Sequence, residues 1–308
     1  MLDVLIGMAA LIALGAFWRW WQPGGLDGDR TRGYLTGIVY YYLLPALVLQ
    51  VLWGGEVGLD SLRIAATAAV CVVLGMVLGW LAGRMLGAPN AVIGAMILAA
   101  GFPNATYMGL PVLDAVLGAE GRSIAIQFDY FAATPLLLTV GALLAQRFGS
   151  STAAEPFWQR LLRVPPLLAA VAAVGLNTSG VPLPDWLGGV LEMLGAGVVP
   201  LMLLALGMSL SLTALHRATV LRALPVLVIQ LALMPAVAWV LTDTLGLTGA
   251  QRVGTILEAA MPAMVFGIIF CDRFGLDARF YSLTVTVSTV LSLATLPVWL
   301  LLLEGGMP

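Results

Sequence analysis

The chain has 308 residues, 61% of them apolar and 10% charged, with a formal net charge of −2. An ordinary soluble protein is about 45–50% apolar and 25% charged, so too little polar surface exists here to coat a water-soluble globule of this size. A soluble enzyme is excluded. Nucleic acid is excluded as a partner too, because no basic stripe is present to neutralise phosphates.

In chain order the apolar residues form ten blocks: Val4–Trp20, Tyr34–Val51, Ile64–Gly83, Ala91–Leu117, Ser123–Gln146, Leu161–Leu176, Leu187–Leu212, Val220–Leu241, Gln251–Cys271 and Tyr281–Leu303. Each is near the ~20 residues that cross about 30 Å of hydrocarbon. The remainder is short connection, so a single membrane domain over 1–308 is expected. The first block is read as a retained helix rather than a secretory signal: Asp3 replaces a positive start, Arg19 follows the apolar run, and no small-residue cleavage site is evident. The tenth block opens with strand-like alternation, but a lone strand cannot satisfy its backbone in lipid, so a helix is expected. Ser288, Ser292 and Thr295 then share one face, suited to packing or a wet cavity.

All basic residues are arginine, and they set the orientation. With the N-terminus outside, eleven lie at cytoplasmic ends (Arg19, Arg30, Arg32, Arg84, Arg147, Arg160, Arg163, Arg217, Arg222, Arg273, Arg279) and three at outer ends (Arg63, Arg122, Arg252). Both termini are therefore expected outside. Tryptophans at block ends read as interfacial anchors. Cys71 and Cys271 read as small hydrophobes, and His216 as a surface histidine.

The longest polar connection, Arg147 to Arg160, separates two halves of five blocks, 1–147 and 160–304. Five is odd, so the second half runs inverted. Pro45 in block two answers Pro200 in block seven, and Pro103 in block four answers Pro262 in block nine, at offsets of 155 and 159 residues. Inverted repeats with interrupted helices at matching places are a mark of secondary transporters.

Block four carries GFPNATYMGLP, Gly101 to Pro111, and block nine carries EAAMPAMVFG, Glu258 to Gly267. Proline removes a donor, glycine loosens the backbone, and Asn104 competes for backbone hydrogen bonds. Pro103 lies about 20 Å along a helix that starts at Asn90, near mid-membrane. If the opposed breaks cross, their half-helix N-termini face one small volume suited to a carboxylate. Two kinked packing helices without a ligand are the alternative. Candidate substrate contacts are Pro103, Asn104, Ala105, Thr106, Pro262, Ala263 and Met264.

A carboxylate at the bilayer centre costs about 2.5–3.5 kcal/mol on insertion scales and calls for compensation. Asp129 in block five and Glu258 in block nine are candidates to take up a proton or coordinate sodium, with Ser288 and Ser292 as further oxygens for ion coupling. Hydrogen bonding to neighbouring Ser, Thr or amide groups is the plainer reading of both. Glu192 reads as interfacial. Tyr40, Tyr41 and Tyr42 read as a substrate path, an interfacial belt or ordinary packing.

Four segments, YYLLPALVLQ (41–50), GFPNATYMGLPVL (101–113), PLMLLALGMSL (200–210) and PAMVFGIIFCDRFGLD (262–277), together resemble the auxin efflux carrier family in its short bacterial form. The order and spacing carry the resemblance over nearly the whole chain. It implies an all-α membrane protein of ten transmembrane helices in two inverted five-helix repeats, with broken crossover helices four and nine, similar to the bile-acid/sodium symporter fold. It implies a scaffold (1–53 and 160–213), often dimeric, and a moving transport domain (63–147 and 218–304). It implies transport of small organic anions across a bacterial inner membrane, and its crossover residues map onto Pro103, Asn104 and Pro262. An acidic residue in its fifth helix maps onto Asp129. Ala263 stands where plant members carry asparagine, and the 147–160 connection is too short for their long cytosolic loop.

The expected activity is secondary active transport of a small carboxylate by alternating access, with no cofactor, and with a proton or sodium as coupling ion. The possible sodium site is at Glu258. A passive channel would line its pore with charged rings or a carbonyl filter, and no such run is present. A membrane enzyme would need a metal or nucleophile cluster, against one histidine and two lone cysteines.

Overall fold

The computed structural model describes residues 2–55, 58–150, 159, 162–209 and 217–304, and these are helical apart from short connections and one isolated bridge. His216, Arg160, Leu161, residues 151–158 of the polar connection and the end of block seven at Leu212 lie outside the described residues. The helices are α1 Leu2–Trp21, α2 Gly28–Gly54, α3 Leu59–Met85, α4 Asn90–Gly101, α5 Ala105–Phe148 and α6 Pro165–Thr178. They continue with α7 Asp185–Ser209, α8 Thr219–Leu245, α9 Gly249–Ala259, α10 Gly267–Phe274 and α11 Ala278–Glu304. Six stretches, α2, α3, α5, α7, α8 and α11, are long and apolar enough to cross a membrane, and α4 and α6 are shorter apolar helices. The chain is thus an all-helical, multi-pass membrane protein.

Local chemistry explains where the helices begin and end. α2 starts six residues before the apolar block because Asp27 caps it, its carboxylate accepting from the Arg30 amide at 2.9 Å. The alternating segment after Tyr281 is helical. Within α5, Gly118 adopts φ 64° and ψ −141°. Residues eight apart on a continuous helix would be about 12 Å apart, yet Arg122 pairs with Asp114 at 2.7 Å and Gly121 abuts the Leu113 carbonyl. The chain therefore folds back at Gly118, and the two parts of α5 lie side by side.

Small residues set the close approaches. Gly75, Gly79 and Gly83 line one face of α3, where any Cβ would collide with Ala100, Met96 or Ile93 of α4. Without a hydrophobic driving force between helices in lipid, such stripes let backbones meet, and this one holds α4 so that its end at Gly101 is fully enclosed. Gly15 of α1 presses on the Leu204 carbonyl of α7, and Gly207 of α7 presses on the Ile12 carbonyl of α1. That reciprocal contact leaves no room for a methyl group. Gly207→Ala is expected to cost about 1–3 kcal/mol through overpacking, read as a lower melting temperature in detergent. Gly175→Ala, with nothing within 4 Å of the added methyl, should leave the melting temperature unchanged or raise it.

Candidate functional site

α4 ends at Gly101 and α5 begins at Ala105; α9 ends at Ala259 and α10 begins at Gly267. The two interruptions meet. Pro103 and Ala263 face each other in an antiparallel bridge, flanked by Asn104 N–H donating to the Pro262 carbonyl at 2.7 Å and Met264 N–H donating to the Phe102 carbonyl at 3.0 Å. Pro103 thus occupies the pair where no N–H is required of it, and Pro262 contributes only its carbonyl. Neighbouring helices satisfy three further groups. Gln230 Nε2 of α8 donates to the Met261 carbonyl at 2.9 Å, and Tyr281 of α11 donates to the Met264 carbonyl at 2.8 Å. Ala263 N–H donates to Ser288 Oγ at 3.2 Å. Irregular backbone at membrane depth is tolerated only when its polar groups are met in this way.

A second pattern comes from the other prolines. Pro45, Pro111, Pro135 and Pro235 each follow a π-helical turn: Val39–Leu43, Ala105–Gly109, Asp129–Ala133 and Ile229–Leu233. In all four, the residue just before the proline donates to the carbonyl five residues back, at Val39, Ala105, Asp129 and Ile229. The proline ring clashes with a preceding carbonyl, and widening the turn relieves it. Tyr40, Thr106, Tyr130 and Gln230 are each five residues before one of these prolines. All four are polar, and three of them line the central cavity.

That cavity, about 70 Å³ in volume, lies between the start of α5, the Asp129 turn, the break at Met264–Phe266, and Tyr40 and Leu44 of α2. Asn104 is 2% exposed, and its side-chain nitrogen is buried without a partner. It sits where α5 begins, beside amides that have no acceptor inside their own helix. Asp129 accepts from Thr106 Oγ1 and, at 2.8 Å, from Thr134 Oγ1, so its carboxylate is tied to the residue two places after Asn104. Tyr40 stacks on Phe266, with ring centroids 6.2 Å apart and planes at 18°, and Tyr107 stands beside them on the wall. Among the described residues, the walls carry donors, one carboxyl group, aromatic faces and no basic side chain.

Of the residues singled out from sequence, Pro103, Asn104, Ala105, Thr106, Met264 and Asp129 line this cavity. Pro262 and Ala263 lie behind it, in the bridge. Glu258 is fully buried elsewhere: both carboxylate oxygens lack a partner, and the group is seated against Gly109, where a side chain would overlap it. Ser288 holds the second break, and Ser292 donates to the Thr289 carbonyl at 2.7 Å. Tyr40 is the one tyrosine of its trio that reaches the cavity; Tyr41 and Tyr42 are 61% and 70% exposed. Thr134, Tyr107, Tyr130, Phe266 and Gln230 were not singled out from sequence. The five-residue spacing to a proline marks Tyr130 and Gln230, but nothing in the sequence marks Phe266.

The profile of the family described as membrane transport protein matches residues 8–300. An uncharacterized transporter of Methanothermobacter thermautotrophicus is 28% identical over 302 residues, covering 96% of each chain. An uncharacterized transporter of Methanocaldococcus jannaschii is 23% identical over 305 residues, covering 97% of each. With helices that cross a membrane, paired interruptions and a full-length family match, the chain belongs to the membrane transport protein family, the auxin efflux carrier family.

Proposed function

We propose that the protein carries a small organic anion, a carboxylate, across the membrane by alternating access. The observation that carries this reading is the Asn104 side-chain amide, buried and partnerless at a cavity wall beside the start of α5. A hydrogen-bond donor left unmet in that position awaits an acceptor, and the positive end of the helix favours a negative one.

The fold supports it. Counting α4 with the first part of α5 as one interrupted pass, the rest of α5 as the next, and α9 with α10 as another, the chain makes ten passes, which we read as two inverted five-helix repeats crossing at their breaks. The cavity lies on the seam between Tyr40, Leu44 and Val164 on one side and the breaks with Asp129 on the other. This is the boundary of the proposed scaffold, 1–53 and 160–213, against the proposed transport domain, 63–147 and 218–304. We take both termini to lie outside a bacterial inner membrane, because the arginines gather at the opposite ends. Val171, Trp186 and Met193 leave an apolar face on α6 and α7 that suits lipid or a second copy of the scaffold in a homodimer.

An anion in this cavity stands close to the Asp129 carboxylate, and two like charges there repel strongly in a low dielectric. A proton taken up by Asp129 with the substrate removes that repulsion, so proton coupling is the reading we prefer. Sodium coupling at Glu258, with Ser288 and Ser292 as accessory groups, is favoured by a different observation: its two buried oxygens have no partner. Uptake into proteoliposomes under a sodium gradient and, separately, a pH gradient tells the two apart.

Uptake of labelled dicarboxylates and aromatic acids by the reconstituted chain is the direct test of function. Asn104→Ala removes a charge-assisted hydrogen bond and is expected to lower uptake about 10- to 100-fold; parental uptake would remove Asn104 from the site. Asp129→Asn retains groups for Thr106 and Thr134 but cannot titrate. Uptake by the parent should rise as pH falls on the side of the substrate, and in Asp129→Asn it should become independent of pH.

A further inference from the structure

The central cavity measures about 70 Å³, half of the roughly 150 Å³ that takes up a benzene ring in an engineered protein core. It has a polar part and an apolar part. On α5, Asp129 and Thr134 are followed within one turn, about 5 Å, by Leu137 and Leu138, and Val164, 7% exposed, adds a branched aliphatic side chain from across the seam. Tyr40 and Phe266 already stack on each other, so those ring faces do not receive an aromatic guest.

The donors are as limited as the space. Thr106 and Thr134 both donate to Asp129. Among the described wall residues, Asn104 holds the one buried side-chain donor without a partner. One such donor at the start of α5 suits one carboxylate. A second carboxylate would find no basic side chain among the described wall residues, would be repelled once more by Asp129, and would shed its water against Leu137, Leu138 and Val164. Resting on the reading of the chain as a carboxylate carrier, we infer that its substrate is a short aliphatic monocarboxylate of about two to four carbons, and that Val164 and Leu138 set the length of its tail. The head lies at Asn104, and the tail lies between α5 and the segment that enters α6. Val164 belongs to the proposed scaffold and Leu138 to the proposed moving part, so a tail that outgrows the space wedges between the two.

Calorimetric titration of the purified full-length chain with acetate, propionate, butyrate, hexanoate, phenylacetate and succinate tests this without the leak of neutral short acids through a bilayer. Affinity should rise about fourfold per methylene from acetate to butyrate while the tail fits. It should then fall about tenfold for hexanoate, phenylacetate and succinate. Val164→Ala should move the optimum toward hexanoate, and Val164→Phe should weaken butyrate about tenfold more than acetate. Asn104→Ala should weaken every acid alike. If the Val164 variants do not fold, Leu138→Ala should lengthen the preferred tail in the same way. Tighter binding of phenylacetate or succinate than of butyrate, or a length profile unchanged in the variants that fold, would overturn the inference. Uptake of dicarboxylates or aromatic acids by proteoliposomes, with no short acid bound, would overturn it too and leave the carrier reading standing. Binding with the expected profile, but no uptake of labelled pyruvate (a three-carbon acid that stays ionised), would overturn the carrier reading and leave the site standing. No binding and no uptake of any acid would end both.

Discussion

The structure depends on one constraint: two helices are interrupted inside a medium that offers no water to the freed backbone groups. In hydrocarbon each unmet N–H or C=O costs several kcal/mol, so a single break would be ruinous and a pair must solve the problem together. Here each break supplies what the other lacks, Asn104 N–H to the Pro262 carbonyl and Met264 N–H to the Phe102 carbonyl. Proline is the fitting residue where the two interruptions meet, because Pro103 faces Ala263 in the one type of bridge pair that requires no donor. The kink and its cure are the same residues. What remains unmet after this mutual pairing, the side-chain amide of Asn104, is left at the wall of a cavity.

The same chemistry recurs more quietly along the chain. Four further prolines sit inside continuous helices, each preceded by a π turn that absorbs the lost hydrogen bond. A π turn inserts a residue into the helical repeat and so re-aims the side chains it contains. Tyr40, Thr106 and Tyr130 reach the central cavity from such turns, Asp129 begins one of them, and Gln230 reaches the second break from another. The prolines thus act at a distance of five residues, turning polar groups away from lipid and toward the interior.

Much of this was legible in the sequence because membrane helices must be long and apolar, and because Pro103 and Pro262 stand out against such runs. On that ground the sequence singles out the breaks, Asn104 and Asp129. Asp129 and Glu258 looked alike by the same logic, and the structure separates them: one shares a cavity wall with Asn104, the other is sealed against Gly109. Sequence position along a helix gives depth but not which way a side chain faces once a π turn has intervened. The reversal at Gly118 falls in the gap between blocks four and five, which end at Leu117 and begin at Ser123, and the Arg122–Asp114 pair shows the chain doubling back there. Phe266 was invisible for a simpler reason: an aromatic residue in an apolar run has no signal of its own until a partner such as Tyr40 is placed beside it.

The bonds that close the breaks also limit how a carrier of this design can move. Five hydrogen bonds tie the Met261–Met264 segment to Phe102, Asn104, Gln230, Ser288 and Tyr281. Two of them join break to break and three fasten the second break to α8 and α11. At roughly 1 kcal/mol net each in water, and more where no water can replace them, pulling the second break away from all these partners would cost several kcal/mol at every cycle. The seam is different: Tyr40 meets Phe266 there through ring faces, and such contacts can be exchanged without leaving a polar group bare. In the proposed cycle the two breaks therefore travel together with α8 and α11 as one body, and the gap that opens and closes lies between that body and α2, α6 and α7. In that cycle the breaks and Asp129 move together while Tyr40, Leu44 and Val164 stay behind, and what changes is which mouth of the seam the moving wall faces.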